Sequence, residues 1–336
     1  MFLLVVWGFW SASSSDGPTT ASRSALADLG SAAYQLFDHV VVLDQVMRQA
    51  GQDSSQVLFR EILLRLRNAQ VTENDWHHLM KRTPTKVPNL ASFNSALHLH
   101  PTTEAVVEHN ISKLHASGQP VATIKAIHMG ANASKASPDD AGGLQPILCL
   151  AQGACVMLTS NLWVEAGLVN GAMGTIAAIV YKHGEAPPSL PVSVMVQFDS
   201  YSGPTYPDST VPITPVRRSW SMSGAQCSRL QLPLKLAWAI TIHKAQGLTL
   251  DKVVIDVGKK EFSSGLTFVA CSRVRQMDDL LFDPPFPFQR VSNLSRSQRL
   301  QERLAENARL LQLEGAMLEP AQPLGLHSPI NPFSTF

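Results

Sequence analysis

The sequence predicts an α/β fold in which a parallel sheet is interrupted by a smaller β-rich module. Alternating strand-like and helix-like segments occupy residues 34–144 and return in residues 231–285, and this alternation is typical of a parallel sheet covered by helices. Between them, residues 145–230 consist of short apolar runs separated by Gly, Asn and Pro, and seven prolines from Pro187 to Pro215 exclude helix over the later part.

The first elements of the α/β part are carried by three consecutive stretches. "HVVVLDQVMRQ" at residues 39–49 is an apolar, β-rich run that ends in polar residues. "DSSQVLFREILLRLRNAQ" predicts a helix, with Asp53 as its N-cap and Leu58, Ile62 and Leu66 along one face. "TENDWHHLMKR" predicts a second, shorter helix.

The next stretch predicts a strand–helix–strand unit. In "SALHLHPTTEAVVEHNISKLHASG" the apolar residues first alternate, as in a strand, and then recur at helical spacing at Val107, Ile111 and Leu114, up to Gly118. "VATIKAIH" follows as a second strand. We expect a parallel crossover connection from a unit of this length.

The middle segment is expected to be a small SH3-like barrel of antiparallel strands, inserted into the α/β layer. Its strands are predicted in "ILCLAQGACVMLTSNLW", "GLVNGAMGTIAAIVY" and "SVMVQFDSY". The α/β pattern then returns with strands at 234–241, 252–257 and 279–282 and a helix over "FSSGLTFVACSRVR". Low-complexity residues 1–33, and a charged helix with a Pro-rich tail over 286–336, are expected to flank the ordered part.

Composition excludes few function classes. The 336 residues carry 27 basic and 26 acidic side chains, a net charge of +1, so no global basic field indicates a nucleic-acid partner, although a local groove can still be basic. The four cysteines form no CxxC pair, and His77 and His78 are expected on the surface, so neither a metal site nor a disulfide framework is expected.

The first residues, "MFLLVVWGFWSASSS", imitate a targeting signal. No Lys or Arg precedes the apolar stretch, and the stretch is too short to cross a bilayer as a helix. We expect a gene-model edge here, with a signal peptide as the alternative, and no membrane partner.

The most informative stretch is "AITIHKAQG", residues 239–247. An apolar run stops at hydrogen-bonding side chains, those of Thr241, His243, Lys244 and Gln246, and is closed by Gly247. A buried strand that ends in such a cluster usually delivers it to a ligand. The alternative for the histidine alone is a cap on a buried turn.

Four stretches together resemble the PIF-type, RecD-like DNA helicases of superfamily 1, and most closely the versions carried by Helitron-like mobile elements. "LAWAITIHKAQGLTL" is similar to motif V and "GLTFVACSRVR" to motif VI. "VMLTSNLWVEAGLVNGAMGTI" is similar to the inserted barrel module, and "VVLDQVMRQ" with the helix after it to the motif IV region. The resemblance covers about residues 34–290 and implies the second RecA-like lobe of a helicase, a P-loop NTPase.

The resemblance assigns roles to individual residues. Arg48 and Arg273 match the arginines of motifs IV and VI, which implies that both point at the γ-phosphate of ATP. A planar guanidinium suits this role because phosphoryl transfer spreads negative charge over the equatorial oxygens. The alternative for either arginine is a surface salt bridge. Gln49 and Gly247 are assigned to the nucleotide side.

Thr241, His243, Lys244 and Gln246 match motif V, which implies contact with the backbone of single-stranded DNA and linkage to the ATP cleft. Such side chains bond phosphate oxygens without reading bases. Because Arg273 is expected to face the nucleotide, its removal is expected to leave DNA binding nearly unchanged.

The elements that hold Mg²⁺ and ATP in a first lobe are not found in the sequence. "VGKKEF" at 257–262 contains Gly-Lys but lacks the upstream glycine and the Ser/Thr of a phosphate loop. The resemblance therefore implies ATP and Mg²⁺ as cofactors, with their main binding elements expected on a missing first lobe, and a chain that is inactive alone.

Two hypotheses of different class follow. The first is the second lobe and barrel of an ATP-dependent DNA helicase that translocates on single-stranded DNA. The second is a non-enzymatic fragment of a decayed mobile element that binds DNA or a partner motor. The family serves telomere maintenance, repair, recombination or transposition, and the expected location is the nucleus, with the mitochondrion as the alternative.

Overall fold

The computed structural model describes residues 21–37, 40–41, 45–222, 224–260, 265–293 and 298–318. Its helices are α1 (Ala21–Gln35), α2 (Ser54–Arg67), α3 (Glu73–Leu79), α4 (Thr103–Ala116), α5 (Leu266–Cys271), α6 (Gln289–Ser292) and α7 (Gln298–Leu318). None of the described helices combines the length and the apolar character that crossing a membrane requires.

The strands are β1 (Leu97–His100), β2 (Ala122–Lys125), β3 (Ile127–Met129), β4 (Ile147–Leu150), β5 (Cys155–Leu158), β6 (Met173–Val180), β7 (Ser193–Phe198), β8 (Val211–Ile213), β9 (Val216–Met222), β10 (Ala225–Gln231), β11 (Leu234–Leu236), β12 (Ala239–Thr241), β13 (Val253–Ile255) and β14 (Leu280–Phe282). Four of them form a parallel sheet in the order β12-β1-β13-β14. The predicted α/β class with a parallel sheet is confirmed.

The parallel sheet is covered on both faces. Leu97 and Leu99 of β1 join the core that α2 and α5 build with β13 and β14. The intervening residue His98 points to the other face, because side chains alternate along a strand, and its ring contacts that of His109 on α4. α4 therefore packs against the opposite side of β1 and β12 from α2 and α5.

The antiparallel strands form three further groups. β11-β5-β6-β7-β8 is a five-stranded sheet, β3-β10-β9 a three-stranded sheet, and β2-β4 a pair. Ile124, Leu150, Val156, Val194 and other buried residues of the five-stranded sheet and the β2-β4 pair share one core, separate from that of the parallel sheet. Within the described ranges these strands form open sheets, and no closed barrel is found.

The predicted crossover from residues 97–99 to 121–128 is wrong. β2 pairs antiparallel with β4, and β3 antiparallel with β10, so neither joins the parallel sheet. Burial gives the reason. Parallel strands are buried on both faces, as all three residues of β13 are, whereas Ile124 is the one buried residue of β2.

The predicted strand at 234–241 is two strands. Residues 234–236 pair antiparallel with β5, and residues 239–241 pair parallel with β1. Between these two strands the chain leaves the five-stranded antiparallel sheet and enters the parallel sheet. The described parts of the β-rich run at 39–49 form no strand. The helix predicted from Phe262 is observed over Leu266–Cys271. Residues 261–264 lie outside the described ranges.

Local helix signals were confirmed with one exception. Asp53 caps α2, its Oδ1 accepting from the amides of the second and third residues after it, and Ile62 and Leu66 are buried. In α4, however, Val107 and Ile111 are exposed although they share the helical spacing of the buried Leu114.

One side chain closes the free edge of the parallel sheet. Asn110 of α4 is buried, and its Nδ2 donates to the Ala239 carbonyl at 2.9 Å while its Oδ1 accepts from the Ala239 amide at 2.8 Å. The amide side chain replaces a neighbouring strand at this point of β12. Since β12 leads directly into residues 241–247, Asn110 also fixes where that stretch begins.

We expect Asn110→Leu to lower the free energy of unfolding by about 2 kcal/mol, because it leaves a buried amide and a buried carbonyl of Ala239 unpaired. The measurement is urea denaturation. The matched control is Asn94→Leu, which replaces an exposed asparagine and is expected to change stability by less than about 0.5 kcal/mol. Equal losses in the two variants would contradict the proposed role of Asn110.

Candidate nucleic-acid and nucleotide interface

Residues 241–247, here called the 241–247 loop, begin at the carboxyl end of the edge strand β12. Thr241 is in register with His100 of β1, and the Ile242 amide donates to the His100 carbonyl at 2.9 Å. Thr241 Oγ1 accepts from the Lys244 amide at 3.3 Å. The Thr241 hydroxyl thus organises the turn itself, besides any ligand contact.

Two buried residues determine which side chains of the loop are exposed to solvent. Ile242 and Ala245 are fully buried and hold the loop to the core of the parallel sheet. Gly247 ends the loop at a φ of +91°, a backbone conformation that residues with a Cβ rarely adopt. The exposed polar side chains of the loop are those of His243, Lys244 and Gln246. They form one solvent-facing set of hydrogen-bonding groups.

A second lysine stands beside this set. Burial lowers the pKa of Lys235 on β11, and the nearby Lys244 ammonium lowers that pKa further, while Asp139 raises it. The two ammonium groups affect each other and so form a small basic patch, whose charge Asp139 partly offsets. Lys235 was missed in the sequence because it lies outside motif V, in the strand before it.

Arg273 lies beneath the 241–247 loop and is 2% exposed. Its Nε donates to the Val269 carbonyl at 2.8 Å, and one terminal nitrogen donates to Ser272 Oγ at 2.6 Å. The other terminal nitrogen lies 3.5 Å from the carbonyls of Ala245 and Leu248. Burial, and then the charge of Arg48, lower the pKa of Arg273 to about 10, so the guanidinium stays charged at neutral pH.

Arg48 is the more accessible of the two predicted arginines. It is half-buried, and its Nε donates to Thr249 Oγ1 at 3.0 Å while a terminal nitrogen donates to the Ser272 carbonyl at 2.7 Å. Burial, followed by the charge of Arg275, lowers its pKa. Arg48 therefore stands next to Arg273, joined to it through Ser272.

The Gln49 side chain is already hydrogen-bonded within the protein. It is 2% exposed, and its Nε2 donates to the Val274 carbonyl at 2.6 Å. This bond ties the segment before α2 to the residues after α5. The assignment of Gln49 to nucleotide binding stays a prediction, and in this arrangement the observed contact is structural.

Neither predicted arginine is paired with an acid in the part of the chain that the structure describes. Among the described residues, the hydrogen bonds of Arg48 and Arg273 go to carbonyls and hydroxyls, not to a carboxylate. Two adjacent guanidinium groups that lack a carboxylate repel one another, and an anion placed against them would relieve this repulsion. The alternative of a surface salt bridge therefore has no support here for Arg273, which is buried.

The nearby cleft is a poorer place for a polyanion. It has a volume of about 1190 Å³ and includes Asp199 in its wall. Its two basic side chains are neutralised within it, Arg275 by Asp251 at 2.9 Å and Lys252 by Asp279 at 3.3 Å. The exposed face of the 241–247 loop is thus the better candidate for a nucleic-acid surface.

Comparison with known proteins shows similarity to one group. No protein-family model matches the chain. The ATP-dependent DNA helicase PIF1 of Xenopus laevis is 45% identical over 141 residues, which are 40% of this chain and 20% of that protein. The human enzyme of the same name is 39% identical over 164 residues. The match spans about a fifth of the length of these curated relatives.

Solved structures agree at the level of fold. Pif1 helicase from Candida albicans superposes with a TM-score of 0.61 at 24% identity, over 79% of this chain and 60% of that chain. Bacteroides Pif1 bound to single-stranded DNA superposes with a TM-score of 0.60 at 22% identity, over 89% of this chain and 65% of that chain.

Proposed function

Because the chain belongs to the PIF1-type helicases of superfamily 1, we propose that it forms the second RecA-like lobe of such an enzyme. In this proposal its 241–247 loop binds the backbone of single-stranded DNA. Its arginine pair senses the nucleotide held by a first lobe. The antiparallel sheet formed by β11 and β5–β8 takes the place of the family's inserted SH3-like barrel, and ATP hydrolysis drives movement along DNA.

The observation that carries the proposal is the contact between Arg273 and the 241–247 loop. The bonds from Arg273 to Val269 and Ser272 are short, whereas those to Ala245 and Leu248 are 3.5 Å long. Bonds of that length are weak. An anion that attracts the guanidinium away from the loop would break the two long bonds first. The carbonyls of Ala245 and Leu248 would then lose their contact with Arg273, and the loop would be held less firmly.

This geometry supports a route from nucleotide to DNA. The carbonyl of Ala245 belongs to the same turn as the exposed Lys244 and Gln246. A change at Arg273 therefore reaches the DNA-facing side chains through a single residue. We propose this as a second role of Arg273 beside the predicted one at the nucleotide, because its buried guanidinium points into the loop.

The arginine pair fits the phosphates of ATP. Arg48 and Arg273 present planar donors without a carboxylate partner, and guanidinium groups bind phosphate oxygens with paired hydrogen bonds. When bound, Mg²⁺ and ATP would supply the reacting phosphoryl group. Arg48, half-buried, would bind first, and Arg273 would follow by exchanging its two long bonds. No described residue is assigned to Mg²⁺.

The DNA side rests on charge and exposure. Lys244 and Lys235 form the basic patch, and His243 and Gln246 add neutral hydrogen-bonding groups beside it. None of these side chains is arranged to read a base edge, so binding is expected to be independent of sequence. A Bacteroides Pif1 structure of similar fold is bound to single-stranded DNA, which supports single-stranded DNA as the kind of partner.

The testing experiment is fluorescence anisotropy with a labelled single-stranded oligonucleotide over a salt series. We expect a dissociation constant in the non-specific range of roughly 10⁻⁴–10⁻⁶ M at physiological salt, because the patch neutralises few phosphates. Lys244→Ala should weaken binding equally on all sequences and flatten the salt dependence by about one unit of slope. His243→Ala should cost less, since a neutral imidazole releases no counterion.

The matched control is Lys182→Ala, which removes an exposed lysine of a turn beyond β6. It should leave both affinity and slope unchanged. Loss of affinity in the control equal to that in Lys244→Ala would mean that binding follows overall charge and that the loop is not the DNA surface. Binding that persists unchanged in Lys244→Ala would exclude the proposed role of the loop.

The alternative is a non-enzymatic fragment that binds DNA or a partner motor. The burial of Arg273 favours it, because a nucleotide could reach the guanidinium only after rearrangement. Since both hypotheses leave the chain inactive alone, the separating experiment is an ATPase assay of the chain mixed with a first lobe that carries a phosphate loop, with and without single-stranded DNA. Turnover that is stimulated by DNA and lost in Arg273→Ala would support the enzyme, whereas DNA binding without turnover would support the fragment.

A further inference from the structure

A cluster of three histidines lies on the α4 face of the parallel sheet. His98 and His100 are on β1, and His109 is on α4. One ring nitrogen of each lies within 4.8 Å of those of the other two. Residues two apart on a strand share a face, and the helix that follows β1 brings the third ring over them.

The closest pair in the cluster has the spacing of metal ligands. His100 Nε2 and His109 Nδ1 are 3.4 Å apart. Two nitrogens bound to one tetrahedral zinc at about 2.0–2.1 Å are themselves separated by about 3.4 Å. The third ring, that of His98, has its centroid 4.2 Å from that of His109, so a small side-chain rotation brings its nitrogen into range.

Two buried nitrogens of the cluster lack a hydrogen bond. These are His100 Nδ1 and His109 Nε2, taking the described residues as possible partners. They are the nitrogens opposite the 3.4 Å pair, so in the proposed site they stay behind the ligating atoms, and each can take a partner outside the metal's own shell.

A carboxylate stands behind the cluster. Asp256 Oδ2 lies 3.5 Å from His100 Nδ1, and Asp256 Oδ1 accepts from the Gly258 amide at 2.7 Å. Metal-bound histidines commonly direct the other ring nitrogen at a carboxylate, which fixes the tautomer and the ring orientation. Here that arrangement leaves His100 Nε2 as the nitrogen directed at His109.

We propose that His98, His100 and His109 bind one zinc ion, with Asp256 orienting His100 from behind. Imidazole ligands suit Zn²⁺ among the common divalent metals, and three of them leave a fourth position for water. The site joins β1 to α4. Because the His100 carbonyl accepts from the Ile242 amide, zinc here would also stiffen the base of the 241–247 loop.

The expectation of no metal site was drawn from the cysteines and from His77 and His78. The sequence signal for this site was the His-x-His pattern at residues 98–100, followed by His109 on the next helix. It is a weak signal by itself, since the third ligand is placed by the packing of α4 and not by spacing along the chain.

The experiment is titration of the tag-free chain with zinc chloride by calorimetry, and with cobalt chloride by visible absorption. We expect one zinc per chain, and cobalt bands with the intensity of a tetrahedral site. His109→Gln should weaken zinc binding at least a hundredfold, and Asp256→Asn by about 10–100-fold. The control, His77→Gln with His78→Gln, should leave binding unchanged.

Lys113→Gln provides a test of opposite sign. Lys113 follows His109 by four residues on α4 and therefore lies on the same helix face, so its ammonium repels a cation bound there, and its removal should tighten zinc binding severalfold. Lys113 is exposed, so this variant should fold even where a histidine variant does not. Absence of one-to-one zinc binding, octahedral cobalt bands, or equal loss in the His77/His78 control would each overturn the proposal.

Discussion

Replacing Arg229 by methionine is expected to lower the free energy of unfolding by about 3–5 kcal/mol, as removal of one partner from a buried charged network does. Arg229 on β10 is fully buried. Its terminal nitrogens donate to the carbonyls of Leu144 at 2.7 Å, Ala136 at 2.7 Å and Ala133 at 3.1 Å. Methionine fills the volume but leaves three buried carbonyls without a donor.

The measurement is urea denaturation, with hydrogen exchange of residues 130–145 as a second readout. Those residues connect β3 to β4, and the three Arg229 bonds hold them, so their amides should lose protection first. Arg217→Met is the matched control, because Arg217 is exposed on the paired strand β9, and its loss should be under about 0.5 kcal/mol. A loss below 1 kcal/mol for Arg229→Met would show that another group satisfies the carbonyls.

Helices α2 and α3 could be predicted because their signals are local. Asp53 supplies the cap, and the apolar stripe through Ile62 and Leu66 gives the face that is buried. Each signal acts within one or two turns of the chain, so no knowledge of distant residues is needed. The exposed Val107 and Ile111 of α4 show the limit of such a prediction. Helical spacing of apolar residues indicates a helix but does not show whether another element packs against that face.

Strand partners could not be predicted because they depend on packing with residues that are distant in the sequence. β2 has the composition of a sheet strand, but its partner is β4, and Ile124 packs in the core that Leu150 and Val156 share. In the same way the run at 234–241 has continuous apolar character, yet it forms two strands that belong to different sheets. Hydrophobic pattern alone does not distinguish one long strand from two short strands in sequence.

The candidate site was predicted in part. The spacing of residues 241–247 places His243, Lys244 and Gln246 together on the surface, as the structure does. Arg273 could not be placed, because its partners are backbone carbonyls, which every residue has, and the hydroxyl of its neighbour Ser272. Lys235 was likewise not predicted, since it lies on β11, outside the stretch that resembles motif V.

Arg273→Lys is expected to lower the free energy of unfolding by about 2–4 kcal/mol although it keeps the charge. A guanidinium donates from three nitrogens in a fixed plane, whereas an ammonium is one nitrogen and cannot reach groups on both sides. Lysine at this position cannot serve both Val269 and the carbonyls of Ala245 and Leu248. The loss comes from the short bonds to Val269 and Ser272 and from the Leu248 carbonyl, since the Ala245 carbonyl keeps the Leu248 amide as a donor at 3.1 Å.

The same substitution at Arg275, two residues away, is the control. Arg275 is exposed and pairs with the exposed Asp251 at 2.9 Å, and surface pairs of this kind contribute about 0–1 kcal/mol. Urea denaturation of the two variants under identical conditions makes the comparison. If the two lose equal stability, the hydrogen bonds of Arg273 to the 241–247 loop do not stabilise the protein.

DNA affinity then decides between two accounts of Arg273. If the residue acts only on the nucleotide, Arg273→Lys leaves the binding of single-stranded DNA unchanged. If it steadies the 241–247 loop, as its contacts with Ala245 and Leu248 indicate, affinity falls although no DNA-facing charge is removed. The salt slope should then match that of the unaltered chain, because the number of neutralised phosphates is unchanged. A lower affinity with an unchanged slope is the result that identifies Arg273 as a positioning residue for the loop.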